Sequence, residues 1–170
     1  MNAGKIFEQS IKRSVPETVL LFRLPDAAQA FGGGNLRFSR KNPFDYLMYD
    51  SIGKNLYALE LKTVKGKAIT FERTETDKGD IHYHQIAGLN EYSKFEGVIA
   101  GFVIEFREAE LTVFIRINEF NRLMNVIDKK SFNIDDLAKY NIDYMVIQQS
   151  KVRTRYRYDI QSFIEYTRNI

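Results

Sequence analysis

A chain of 170 residues that is 44% hydrophobic and 28% charged is long enough for one continuous core and too apolar for extended disorder, so it reads as a single soluble domain spanning residues 1–170. With no cysteine it has no disulfide framework, thiolate zinc site or cysteine nucleophile, and its two histidines are too few for a histidine-rich metal centre. No apolar run approaches the roughly 20 residues of a membrane span, MNAGKIFEQSIKR lacks the apolar core of a secretory signal, and a net charge of +3 permits a polyanionic partner without requiring one; the expectation is a cytoplasmic protein with no membrane contact.

Ala3 to Arg13 is predicted to form a first helix, with Ile6, Phe7 and Ile11 at helical spacing and Glu8 on another part of its surface. An apolar run from Thr18 to Leu24 leads into DAAQAFGGGNLRFSRKN, whose three successive glycines predict a flexible basic loop over residues 24–42. Two strands follow as a hairpin, Phe44 to Tyr49 and Leu56 to Val64. Asp80 is expected to cap a helix from Ile81 to Phe95, and strands from Val98 to Arg107 and Leu111 to Ile117 flank an acidic turn. Asn118 and Asn133 are expected to cap two more helices, Asp143 to Gln148 to form a last strand, and Ile160 to Arg168 a closing helix. The order defines a mixed α/β fold, a central sheet covered by helices.

The hairpin carries Asp45, Glu60 and Lys62 among residues built for burial, where charge is seldom tolerated unless it is paired, metal-bound or in a cleft. With the turn centred between Ile52 and Gly53, Asp50 pairs with Asn55 and Asp45 with Glu60, so two carboxylates oppose each other roughly 5 Å apart on one face. Lys62 shares that face with Glu60, while Leu59 and Leu61 point the other way. Opposed like charges are destabilising unless a cation lies between them, and oxygen ligands suit Mg²⁺ or Mn²⁺. Such an ion activates water for attack on a phosphodiester, with Lys62 orienting the nucleophile or stabilising the transition state. The spacing alone leaves open an ordinary cross-strand salt bridge on a solvated face.

Other residues suit a phosphate-rich partner. The loop places Arg37, Arg40 and Lys41 around Phe38, a basic segment able to follow a backbone with an aromatic that stacks or wedges at a branch; a loop with scattered charge is the plainer reading. On a helix His82 and His84 cannot share a face, so His84 is read as a phosphate contact and His82 as structural or exposed. In KVRTRYRYD, read as a strand, Lys151, Arg153, Arg155 and Arg157 make one continuous basic ridge, either for phosphates or as the guard of a solvated edge.

In order along the chain, NAGKIFEQSI, PFDYL, ALELKT, HYHQIAGL and GVIAGFVIEF resemble the PD-(D/E)xK nuclease superfamily, and more closely its RecU-type Holliday-junction resolvases. The family's "NxGxxFE" matches Asn2, Gly4, Phe7 and Glu8, its "E-x-K" matches Glu60 and Lys62, and its "HQI" matches His84, Gln85 and Ile86. The resemblance covers about the first two thirds of the chain. It implies a restriction-endonuclease-like mixed central sheet flanked by helices, and a homodimeric enzyme, with Mg²⁺ or substituting Mn²⁺ and no organic cofactor, that cuts four-way DNA junctions by paired symmetric nicks. By position it makes Asp45, Glu60 and Gln85 metal ligands, Lys62 the transition-state stabiliser and Glu8 an acid at the site's edge. It implies a location at the nucleoid of a bacterium, or in the host cytoplasm for a phage protein. Three departures stand out: Pro43 occupies the position of a ligating threonine, the segment Leu24 to Lys41 is short for the family's junction stalk, and the C-terminal third carries no family motif. Two alternatives share the fold: a restriction- or repair-type nuclease on linear or branched duplex, and a non-catalytic DNA binder.

Overall fold

A computed structural model of the chain describes residues 2–25 and 41–168. In chain order the elements are α1 (Ala3–Lys12), β1 (Val19–Arg23), β2 (Tyr46–Asp50), β3 (Leu56–Val64), β4 (Ala68–Thr70), α2 (Tyr83–Tyr92), β5 (Val98–Phe106), β6 (Leu111–Arg116), α3 (Ile117–Val126), β7 (Ser131–Asn133), α4 (Ile134–Lys139), β8 (Met145–Ile147), β9 (Gln149–Val152), β10 (Arg155–Tyr158) and α5 (Ile160–Thr167). Six strands form one sheet in the order β1-β2-β3-β5-β6-β8. Among the described strands of this sheet only β3 and β5 pair in parallel, so the sheet is mixed, and their connection passes through α2 as a parallel pair requires.

Strand alternation divides the core in two. Ala58, Phe102, Ile104, Val113 and Ile115 face α2 and α3, joined by Phe132 from the β4–β7 ribbon and Phe71 just after β4. Tyr57, Leu59, Leu61, Val103 and Phe114 face α1 and α5, joined by Tyr158 from the β9–β10 hairpin. The architecture is therefore a mixed α/β fold with a mixed central sheet flanked by helices on both faces. Among the described residues no helix is long and apolar enough to cross a membrane.

The β2–β3 register is the expected one: Tyr46 opposes Leu59, Leu47 opposes Ala58, and Asp50 N–H donates to Asn55 O at 3.0 Å. Asp50 fixes this turn from inside, accepting from Ile52 N and Gly53 N and holding Arg168 of the α5 end through Nε at 2.6 Å and Nη2 at 2.9 Å.

Four local expectations are corrected. The second helix begins at Tyr83 with His82 as its N-cap, because Asp80 is committed across the chain to Thr70 Oγ1 at 2.6 Å and Thr70 N at 3.1 Å. Since His82 is extended rather than helical, its ring stacks on that of His84 with centroids 5.5 Å apart, contrary to the helical argument that separated them. Asn118 lies inside α3, which starts one residue earlier, whereas Asn133 caps α4 as expected by accepting from Asp136 N at 2.9 Å. The C-terminal basic run is a hairpin: Arg153 turns at φ 58° and Val152 pairs with Arg155, so Lys151 shares a face with Tyr156 while Arg155 and Arg157 lie on the other. The continuous ridge is therefore broken.

Candidate active site

Asp45 stands just before β2 and Glu60 in the middle of β3, at opposed positions of the register. Two contacts from α2 and its surroundings hold the Asp45 end in place. Pro43 lies so close to Gly88 that a Cβ there would meet Pro43 Cβ at 2.4 Å, and Phe44 packs edge-on against Tyr92 with centroids 4.7 Å apart. Pro43 thus serves as the seat of α2. Asp45 Oδ2 accepts from Leu61 N at 3.2 Å, which turns its carboxylate across the hairpin toward β3.

Glu60 is only 2% exposed. Its Oε1 lies 3.1 Å from Lys62 Nζ and accepts from Gln85 Nε2, while its Oε2 is buried with no hydrogen-bond partner. Burial, with the Asp45 charge opposite, pushes the Glu60 carboxyl up to about 8, against a smaller opposing pull from Lys62. Burial also raises Asp45, reinforced by Glu8 and opposed by Leu61 N–H and Lys62. A buried, unpartnered Glu60 oxygen on a carboxyl that resists ionisation, with Asp45 opposed to it in the register, is an environment a hard divalent cation relieves, so the donor set fits one. Asp45 and Glu60 are the two acids that would hold it. Among the described residues no group of three His, Asp or Glu side chains converges on such a point.

Gln85, expected as a metal ligand, lies against Glu60 with its amide nitrogen turned to it, because its Oε1 accepts from His82 N at 2.9 Å and closes the first turn of α2. It holds Glu60 in place. Glu8 projects from α1 at the other face and edge of the sheet, accepting from Arg23 Nε and Tyr46 Oη, each at 3.2 Å, and acts on Asp45 through its charge. His84 is partly buried, and burial, with Lys41 and His82, lowers its pKa; Lys62 adds to the same positive surroundings. Sequence reasoning missed Glu72, which accepts from Tyr83 N at 2.8 Å and lies 2.8 Å from His82 Nδ1.

Lys41 is exposed. Arg37, Phe38 and Arg40, with nearly all of the expected loop and stalk, lie outside the described residues. Arg155 and Arg157 are spent on α1, donating to Gln9 Oε1 at 3.3 Å and Arg13 O at 2.7 Å, which leaves Lys151 and Arg153 as the exposed cations nearest the hairpin tip.

No protein-family model matches the chain. It is 32% identical over 131 residues to an uncharacterized SPbeta prophage-derived protein, YotM, of Bacillus subtilis strain 168; the match takes in 76% of this chain and 63% of that protein's length. Among solved structures the chain is similar to Hjc, a Holliday junction resolvase from the archaeal hyperthermophile Archaeoglobus fulgidus, with a TM-score of 0.43 and 14% identity over 72% of this chain and 80% of that one.

Proposed function

We propose that the chain is a divalent-metal-dependent endonuclease that cleaves phosphodiester bonds in branched duplex DNA, resolving four-way junctions by paired nicks. The observation that carries this reading is the buried, unpartnered Oε2 of Glu60 opposite Asp45 and beside Lys62. When bound by Asp45 and Glu60, Mg²⁺ supplies a water of lowered pKa and withdraws charge from a phosphate oxygen. The chain's own residues do the rest. Leu61 N–H and Gln85 Nε2 fix the two carboxylates, so that the site is preorganised. Lys62 Nζ, held at the edge of the pair, donates toward the phosphate oxygens where negative charge builds. Lys41 and His84 border the same positive surface and guide the backbone into it. Gln85 acts here as the donor that aims Glu60, since lending its oxygen to the metal would undo the His82 bond.

A homodimer gives two such sites related by a two-fold axis, as paired nicks require. Leu20 and Phe22, 66% and 54% exposed on the edge strand β1, suit that contact between copies.

The test is Mg²⁺-dependent cleavage of a synthetic four-way junction beside a linear duplex of matching sequence, with wild type and Glu60→Gln. Paired nicks in the junction alone, lost in the variant, support the proposal. Equal cutting of both substrates removes the junction selectivity and leaves a duplex nuclease. Binding without cutting makes the chain a non-catalytic DNA binder.

A further inference from the structure

Glu105 is one of the buried carboxylates that the catalytic reading leaves unused. Glu105, 6% exposed near the end of β5, lies on the α1 face of the sheet, opposite in orientation to Glu60. An apolar side chain at this point would avoid the cost of desolvating a charge. Instead both oxygens bridge separate elements. Oε2 accepts from Thr63 Oγ1 at 2.6 Å, and Oε1 accepts from Tyr158 Oη at 2.8 Å.

These partners matter by position. Thr63 directly follows Lys62, and strand alternation makes the orientation of one the inverse of the other. Tyr158 ends the β9–β10 hairpin, which is held against α1 and the residues just after it by Tyr158 N–H donating to Ser14 Oγ at 3.0 Å and by the side chains of Arg155 and Arg157 donating to Gln9 Oε1 and Arg13 O. The exposed Lys151 and Arg153 near its tip are thus joined through two hydroxyl–carboxylate bonds to the strand that presents Lys62.

We propose that Glu105 is a positioning residue: through Thr63 it fixes the segment of β3 that carries Lys62, and through Tyr158 it ties that segment to the basic hairpin, so that a DNA phosphate seated on Lys151 and Arg153 is registered with the site. This rests on the nuclease reading for Lys62, and on geometry alone for the link itself.

The decisive variant is Thr63→Val/Glu105→Leu/Tyr158→Phe, which removes donors and acceptor together and so leaves no orphaned polar group to unfold the protein. The measurements are kcat and KM on the four-way junction, the thermal midpoint, and amide hydrogen exchange of residues 61–64 in the free protein. The expected result is an unchanged midpoint and KM, a kcat lowered by about tenfold or more, as small misplacements of catalytic groups produce, and exchange at 61–64 faster by roughly tenfold with β6 unaffected. Thr63→Ser, which keeps the hydroxyl, should hold kcat within about threefold of wild type. A triple variant with wild-type kcat and wild-type exchange overturns the proposal, as does an equal loss in Thr63→Ser. If the triple variant is unfolded, Tyr158→Phe with the same readouts decides. If the wild type cuts no DNA at all, the nuclease reading fails, and the exchange of residues 61–64 alone decides whether Glu105 fixes the strand.

Discussion

Glu60→Gln should separate the strain in the candidate site from its chemistry. The folded protein holds this carboxyl up to about 8 against an ordinary 4.5. Because the folded value is raised, the group's contribution to stability is complete below pH 4.5, where it is protonated in both states, and is lost progressively as pH rises through 8. At ~1.4 kcal/mol per pH unit, the loss is about 3 kcal/mol at pH 7 and about 5 kcal/mol above pH 8. Glutamine cannot ionise and escapes it, less ~1 kcal/mol for a weaker bond to Lys62. In EDTA, urea unfolding should therefore find the variant equal to wild type near pH 4 and more stable by ~2–4 kcal/mol at pH 8.5. Mg²⁺ should narrow that gap. It stabilises the wild type by RT ln(1 + [L]/Kd), ~2.7 kcal/mol at a hundredfold excess over Kd, and leaves the variant unmoved. A difference between the two proteins that stays flat from pH 4 to pH 8.5, or an equal response of both to Mg²⁺, refutes the assignment of Glu60 as a strained cation ligand.

Lys62→Ala should lower kcat on the junction by roughly 10²–10³-fold while leaving DNA affinity, read by anisotropy in Ca²⁺, nearly unchanged. Gly88→Ala places a Cβ 2.4 Å from Pro43 Cβ and 2.7 Å from Pro43 O; the parting of α2 from the Asp45 segment should cost ~1–3 kcal/mol in chemical unfolding and reduce cleavage as well. Arg168→Ala takes the cation away from Asp50, which keeps only its bonds from Ile52 N and Gly53 N, and should lower the urea unfolding midpoint near neutral pH. Arg168 holds the Asp50 carboxyl below its ordinary 3.8, so that stabilisation is present above pH 3.8 and lost as pH falls; the gap between variant and wild type should close in acid unfolding. Leu20→Lys with Phe22→Lys should shift the mass by light scattering from dimer to monomer while the fold by circular dichroism is kept.

The opposed acids were legible because a hairpin is local. A turn centred between Ile52 and Gly53 sets the pairing of Asp45 with Glu60, and period-two alternation then puts Lys62 beside them. What lay beyond local spacing was not legible. Asp80 has the chemistry of a helix cap, yet a strand of three residues, β4, claims it first through Thr70. The hairpin of β9 and β10 turns at Arg153 with positive φ, where no Gly or Asn announces a turn, so a run of alternating cations read as one strand. Gln85 could be put on the second helix from sequence, but which of its amide atoms faces Glu60 depends on a backbone N–H that becomes free only once His82 is the cap. Glu105 shows the limit most clearly. Like Glu60 it is an acid inside an apolar strand, VIEF, and the same anomaly marks both. The partner that explains Glu60 lies across a tight turn, whereas the hydroxyls that explain Glu105 come from 42 and 53 residues away. A misplaced charge can therefore be detected in any strand from the sequence, but it can be interpreted only where topology keeps its partner close; elsewhere the fold has to bring the partner in before the charge acquires a meaning.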